Sequence, residues 1–60
     1  MKHISVKELY PLELEKLEFN LEVVGYDEEE IQFIYDNIYR DGNGVAYYLI
    51  KSSNKHFALN

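Results

Sequence analysis

The only imidazoles of this 60-residue chain, His3 and His56, stand near opposite ends of a sequence without cysteine. Two histidines with no thiolate beside them fall short of the ligand set that zinc takes. No metal site and no cofactor is read from them. Asp41-Gly-Asn-Gly44 resembles the centre of an EF-hand loop. Aligning Gly44 with the turn glycine of such a loop puts Tyr39 first and Ile50 last, where calcium needs carboxylate oxygens. The segment reads instead as a helix stop followed by a turn. Ser52-Ser-Asn-Lys55 has the S-x-x-K spacing of penicillin-recognising acyl enzymes, but those need a helix start and further elements along a longer chain. No carboxylate pair has an apolar pocket to shift its pKa, and so short a chain lacks room for a deep cleft. No catalytic residue is assigned, and the chain is not read as an enzyme.

Carboxylates are what remain. The net charge is −5, yet residues 8–41 hold all eleven acids with only Lys16 and Arg40, a local balance of −9. Such a middle argues against direct binding to a phosphate backbone, which needs a basic stripe. It permits attraction to a basic surface of another protein, including one that normally holds nucleic acid. Glu15, Glu18 and Glu22 recur at i, i+3 and i+7. On a helix their spacing along the axis is about 4.5–6 Å, close to a row of phosphates. In a second helix Phe33 would lie away from Ile31 and Ile34, among Glu29, Asp36 and Arg40, where an aromatic can anchor a complex. The expected partner-binding set is therefore Phe33, Glu29, Asp36, Glu15, Glu18 and Glu22.

In size and acidity the chain resembles small phage-encoded proteins that block host defence nucleases, such as anti-CRISPR and anti-restriction proteins. That resemblance, carried by no motif, implies an inhibitor with a phosphate-mimicking face. Alternatives are a homo-oligomeric structural or accessory protein without ligand, and a small winged-helix-like DNA reader. The reader would place a helix over 27–40 in the major groove, where Asp27, Glu28, Glu29 and Glu30 meet phosphate repulsion. Acids that only keep a small protein soluble are the plain alternative to all of these.

The elements that must position these residues follow from period and caps. No linker or repeat divides residues 1–60, so one small domain is expected, cytoplasmic because no apolar run approaches a membrane span. Residues 1–7 form a short lead, and Ser5-Val-Lys-Glu8 has capping-box spacing for a helical turn from Val6. Over 11–24, Tyr10, Leu14, Leu17, Leu21 and Val24 share one helical stripe, and Leu12, Phe19 and Val23 share the opposite one. The same segment also alternates as a strand over 17–24, which would give an α-β-α-β-β order. Pro11 at the start and Gly25 at the end favour the helix. Its second apolar stripe, Leu12, Phe19 and Val23, then calls for a partner, most simply a second copy in a homodimer.

Asp27-Glu-Glu-Glu30 opens a helix expected over 27–40, with Ile31, Ile34, Tyr35, Ile38 and Tyr39 on one face and Arg40 near the C-terminal end. Val45–Lys51 and His56–Leu59 read as a β-hairpin turning at Ser53-Asn54, pairing Ile50 with Phe57 and Tyr48 with Leu59. The fold class is α+β: an antiparallel helical hairpin followed by a C-terminal β-hairpin packed on it.

Overall fold

The computed structural model describes all 60 residues. It is α+β, with two helices and a four-stranded antiparallel sheet. The strands are β1 (Lys2–Ile4), β2 (Ile38–Arg40), β3 (Ala46–Leu49) and β4 (His56–Ala58), in the spatial order β1-β2-β3-β4. A 3-10 turn, Val6–Glu8, follows β1, and helices α1 (Pro11–Val24) and α2 (Glu28–Asp36) come between β1 and β2. No helix is long and apolar enough to cross a membrane.

Residues 11–24 are helical, as their ends dictate. Pro11 takes the first helical position, and the Glu13 carboxylate reaches back to accept from the Tyr10 amide at 2.8 Å. At the other end Gly25 adopts φ 75°, and its amide donates to the Leu21 carbonyl. A side chain there would be strained by the left-handed backbone. The same capping logic operates before the 3-10 turn, where the Ser5 amide donates to Glu8 at 2.7 Å. For α2, Asp27 accepts from the Glu30 amide at 2.8 Å. The Glu30 carboxylate does not close a capping box on Asp27; it accepts from the Lys51 amide and ties the hairpin loop to the helix.

The helix expected over 27–40 is shorter. It ends at Asp36, and Ile38–Arg40 is a strand. Asn37 leaves the helical region at φ −132°, ψ 56°, and its side-chain amide donates to the Phe33 carbonyl, satisfying one of the last-turn acceptors. Ile38 to Arg40 then gain backbone partners on both sides, from β1 and from β3. A further helical turn would leave both neighbouring strands without that ladder. Ile38 and Tyr39 thus belong to the sheet, and Arg40 is no helix-end cation.

The hairpin is present, with a different register. Tyr48 pairs with Phe57 and Leu49 with His56, two residues away from the expected pairing. A slip of two keeps every side chain on its face, so Tyr48, Ile50, Phe57 and Leu59 still share one side. The connection is correspondingly longer, with a turn closed by the Ser53 amide on the Ile50 carbonyl and a Ser53 hydroxyl accepting from the Lys55 amide.

One row of paired residues, Ile4, Ile38, Tyr48 and Phe57, crosses the face of the sheet that both helices cover. Leu17 and Leu21 of α1, Ile34 of α2, and Leu9, Ala46 and Leu59 complete the core. Phe57 stacks on Tyr48 with centroids 5.4 Å apart. The opposite face carries His3, Tyr39, Tyr47 and Ala58 and has no covering layer. Ile38, fully buried at the centre, should be the less replaceable residue: Ile38→Ala is expected to cost about 2–5 kcal/mol. Half-buried Phe57→Ala should cost less. Urea denaturation followed by circular dichroism checks this ordering, and an Ile38→Ala protein as stable as wild type would remove β2 from the core.

Candidate functional site

Helix α1 presents two unlike sides. Its inner side buries Leu17, Leu21 and Glu13. Its outer side leaves Leu12 79 %, Phe19 64 % and Val23 66 % exposed. At 100° per residue these three fall within about 40° of one another, with their centre about 140° around the helix from that of the buried residues. Glu15, Glu18 and Glu22, all exposed, line one flank of that stripe. Lys16 and Asn20 line the other, the Lys16 ammonium donating to the Asn60 carbonyl and the Asn20 amide to the Tyr48 hydroxyl. The structure therefore joins, on one surface, the glutamate row and the apolar stripe that the sequence presents as separate features.

What fixes this surface is an ion pair on the inner side. Arg40, on the covered face of β2, makes a two-pronged contact with Glu13: Nη1 donates to Oε2 at 2.8 Å and Nη2 to Oε1 at 2.9 Å. Both side chains are largely withdrawn from water. The same guanidinium donates to the carbonyls of Gly44 and Glu8 and lies 4.6 Å from the centre of the Tyr10 ring. Arg, unlike Lys, supplies this fork of donors and a flat face for stacking. The hydrogen bonds from Arg40 hold the Glu13 carboxyl below its ordinary value, against the opposing effect of burial. The pair joins residues 27 positions apart, so no local spacing announces it.

The second expected group, Phe33 with Glu29 and Asp36, shares one side of α2, but its aromatic is not exposed. Phe33 is half-buried rather than projecting from α2. Glu29 is paired with the Lys51 ammonium. Asp36 accepts from the Gln32 side chain at 3.2 Å, and its backbone carbonyl accepts from His3. An open depression of about 270 Å³ lies beside α2, lined by Tyr26, Asp27, Glu29, Glu30 and Lys51. Its one cation is already engaged by Glu29, and the Glu30 carboxylate by the Lys51 amide.

The remaining motifs resolve into structure. Asp41 Oδ1 accepts from the amides of Asn43 and Val45, so the loop Asp41–Gly44 is an Asx-type turn between β2 and β3. Those amides, led by Val45, keep the Asp41 carboxyl below its ordinary value. Gly44 takes φ 83° there. His3 and His56 sit on the two edge strands, separated by three strand spacings, about 14 Å, across the sheet and offset by two residues along it. No cluster of three or more His, Cys, Asp or Glu is placed to hold a metal ion.

Glu13 and Asp41 both contribute to the acid limb of stability. A carboxyl lowered on folding stabilises fully above its unfolded value, near 4.5 for Glu13, and the contribution is lost as pH falls through the lower folded value. Stability should therefore decline below about pH 4.5, and Glu13→Gln should flatten that decline. At neutral pH the same variant should lower the melting temperature, because it removes the counter-charge and one prong of the fork from Arg40. Melting curves from pH 3 to 7 (steps of about one unit) check both effects.

Comparison with protein-family models, curated proteins and solved structures finds no match for the chain, so the case for a function rests on its surface chemistry.

Proposed function

We propose that the chain is an acidic protein-interaction module that engages a basic surface of another protein through the outer face of α1. The observation that carries this reading is the exposure of Leu12, Phe19 and Val23 in one stripe beside Glu15, Glu18 and Glu22. Acidic side chains steer a basic partner and speed encounter, while affinity comes from large apolar side chains that lose water in the complex. This face offers both within a few ångströms. The glutamate row repeats at a spacing that suits a groove built for phosphates, which supports a nucleic-acid-handling protein as the target. An inhibitor of that kind matches the size and acidity of small phage proteins directed at host nucleases. Direct DNA reading has little support, since α2 contains no Lys or Arg from Glu28 to Asp36.

The anchor on this reading is Phe19 rather than Phe33. Affinity capture on the immobilised protein, followed by mass spectrometry, is the test. Wild type should retain nucleic-acid-binding proteins at low salt and release them to short duplex DNA or raised salt. Phe19→Ala should weaken retention by about 2 kcal/mol or more, roughly thirtyfold, and Phe33→Ala should not. The combined change Glu15→Lys, Glu18→Lys and Glu22→Lys should abolish capture with the fold intact. Partners that bind these variants as well as wild type would overturn the proposal.

A further inference from the structure

The shape and charge register of the α1 face narrow what can cover it. Leu12, Phe19 and Val23 lie at i, i+7 and i+11, the d, d and a positions of a heptad seam about 16 Å long. Lys16 occupies the intervening a position, and Glu15 and Glu22 fall at g. A narrow convex ridge with this spacing fits the seam of a second helix, where knobs meet holes, better than a flat surface.

A second copy of α1 is a poor occupant. A two-fold axis perpendicular to the helices brings the same flank of each together, setting Glu15 and Glu22 against their own copies. A two-fold axis parallel to the helices sets Lys16 against Lys16 at the seam. Either arrangement puts like charges side by side, which disfavours self-pairing without touching the apolar contacts. A lipid surface is also poorly matched, because amphipathic helices that lie on membranes carry basic flanks.

Resting on the reading of this face as a docking surface, we infer that its occupant is an amphipathic helix of a different protein, with an apolar seam flanked by Lys or Arg. The seam covers Leu12, Phe19 and Val23, and the basic flank runs beside Glu15 and Glu22. Three turns of helix make a small contact, so the complex depends on both terms.

The chain has no tryptophan, so a peptide carrying one reports its own binding without background. The probes are a three-heptad peptide with Leu at a and d, Lys at e and g and an outward Trp; its counterpart with Glu at e and g; and a scramble of the Lys peptide. Fluorescence anisotropy at low salt should show the Lys peptide binding at least about tenfold more tightly than either of the others. Leu12→Ser with Phe19→Ser should lose at least about tenfold of that affinity, and Glu15→Lys with Glu22→Lys should reverse the preference toward the Glu peptide. These residues are exposed, and unchanged circular dichroism confirms that the variants fold. Equal binding of the scramble, indifference to the variants, or a dimer in sedimentation equilibrium that Leu12→Ser with Phe19→Ser dissolves would each overturn the inference. If the peptides fail while affinity capture still responds to the same variants, the face docks a non-helical partner. If capture is indifferent too, the docking reading itself falls.

Discussion

The Arg40 guanidinium is the point through which the parts of this small fold are referred to one another. It ties the first turn of α1 through Glu13, the ring of Tyr10, the end of the 3-10 turn through Glu8, and the β2–β3 turn through Gly44. A chain of this length has a thin core and no disulfide, so its geometry depends on a few well-satisfied contacts. A charged group largely withdrawn from water needs its acceptors together, so the Arg40 contacts restrict how α1 sits on the sheet. Hydrophobic burial of Leu17, Leu21, Ile34 and Ile38 holds the layers together without setting that placement so narrowly.

The surface follows from this constraint. With Glu13, Leu17 and Leu21 turned toward the sheet, the rotation of α1 is fixed, and Leu12, Phe19 and Val23 can only face solvent. Charge is segregated in the same way. Nearly all the acids sit on the helices and their caps, whereas Lys2, Lys51 and Lys55 lie on or beside the strands. The uncovered sheet face differs in kind from the α1 face. Its aromatics shield one another, His3 against Tyr39 at 5.4 Å and Tyr47 against His56 at 6.3 Å, and Tyr39 and Tyr47 are only half-exposed. Exposed apolar side chains with charge beside them are concentrated on α1.

Much of this was legible from residue order wherever a local rule decides. Pro11, Gly25 and Asp27 marked helix ends through backbone chemistry that needs no distant partner. The strand reading of 17–24 fails because alternation would bury Phe19 and Val23 beside Leu17 and Leu21, whereas Phe19 and Val23 face solvent on the other side of a helix. Residues 38–40 read as helix from the sequence because Ile38 and Tyr39 continue the helical stripe of Ile31, Ile34 and Tyr35, and three residues cannot distinguish the two periods. Only pairing with β1 and β3, each distant in sequence or separated by a turn, decides for the strand. β1 itself, three residues long, carries no pattern. The stripe Leu12, Phe19 and Val23 is exposed on α1, whereas Phe33 is half-buried although its neighbours Glu29, Gln32 and Asp36 on α2 are exposed, a difference that helical spacing alone does not give. The Arg40–Glu13 pair left no sequence trace, being a product of the assembled topology.

The central claim is that α1, clamped by its inner side, offers its outer side to a basic helix. Amide chemical-shift mapping of the isotopically labelled protein, titrated with the Lys-flanked peptide, tests it most directly. The account predicts shifts concentrated at Leu12, Glu15, Phe19, Glu22 and Val23, with Tyr39, Tyr47 and α2 undisturbed. Shifts centred on the uncovered sheet face, or on Phe33 and its neighbours along α2, would contradict it.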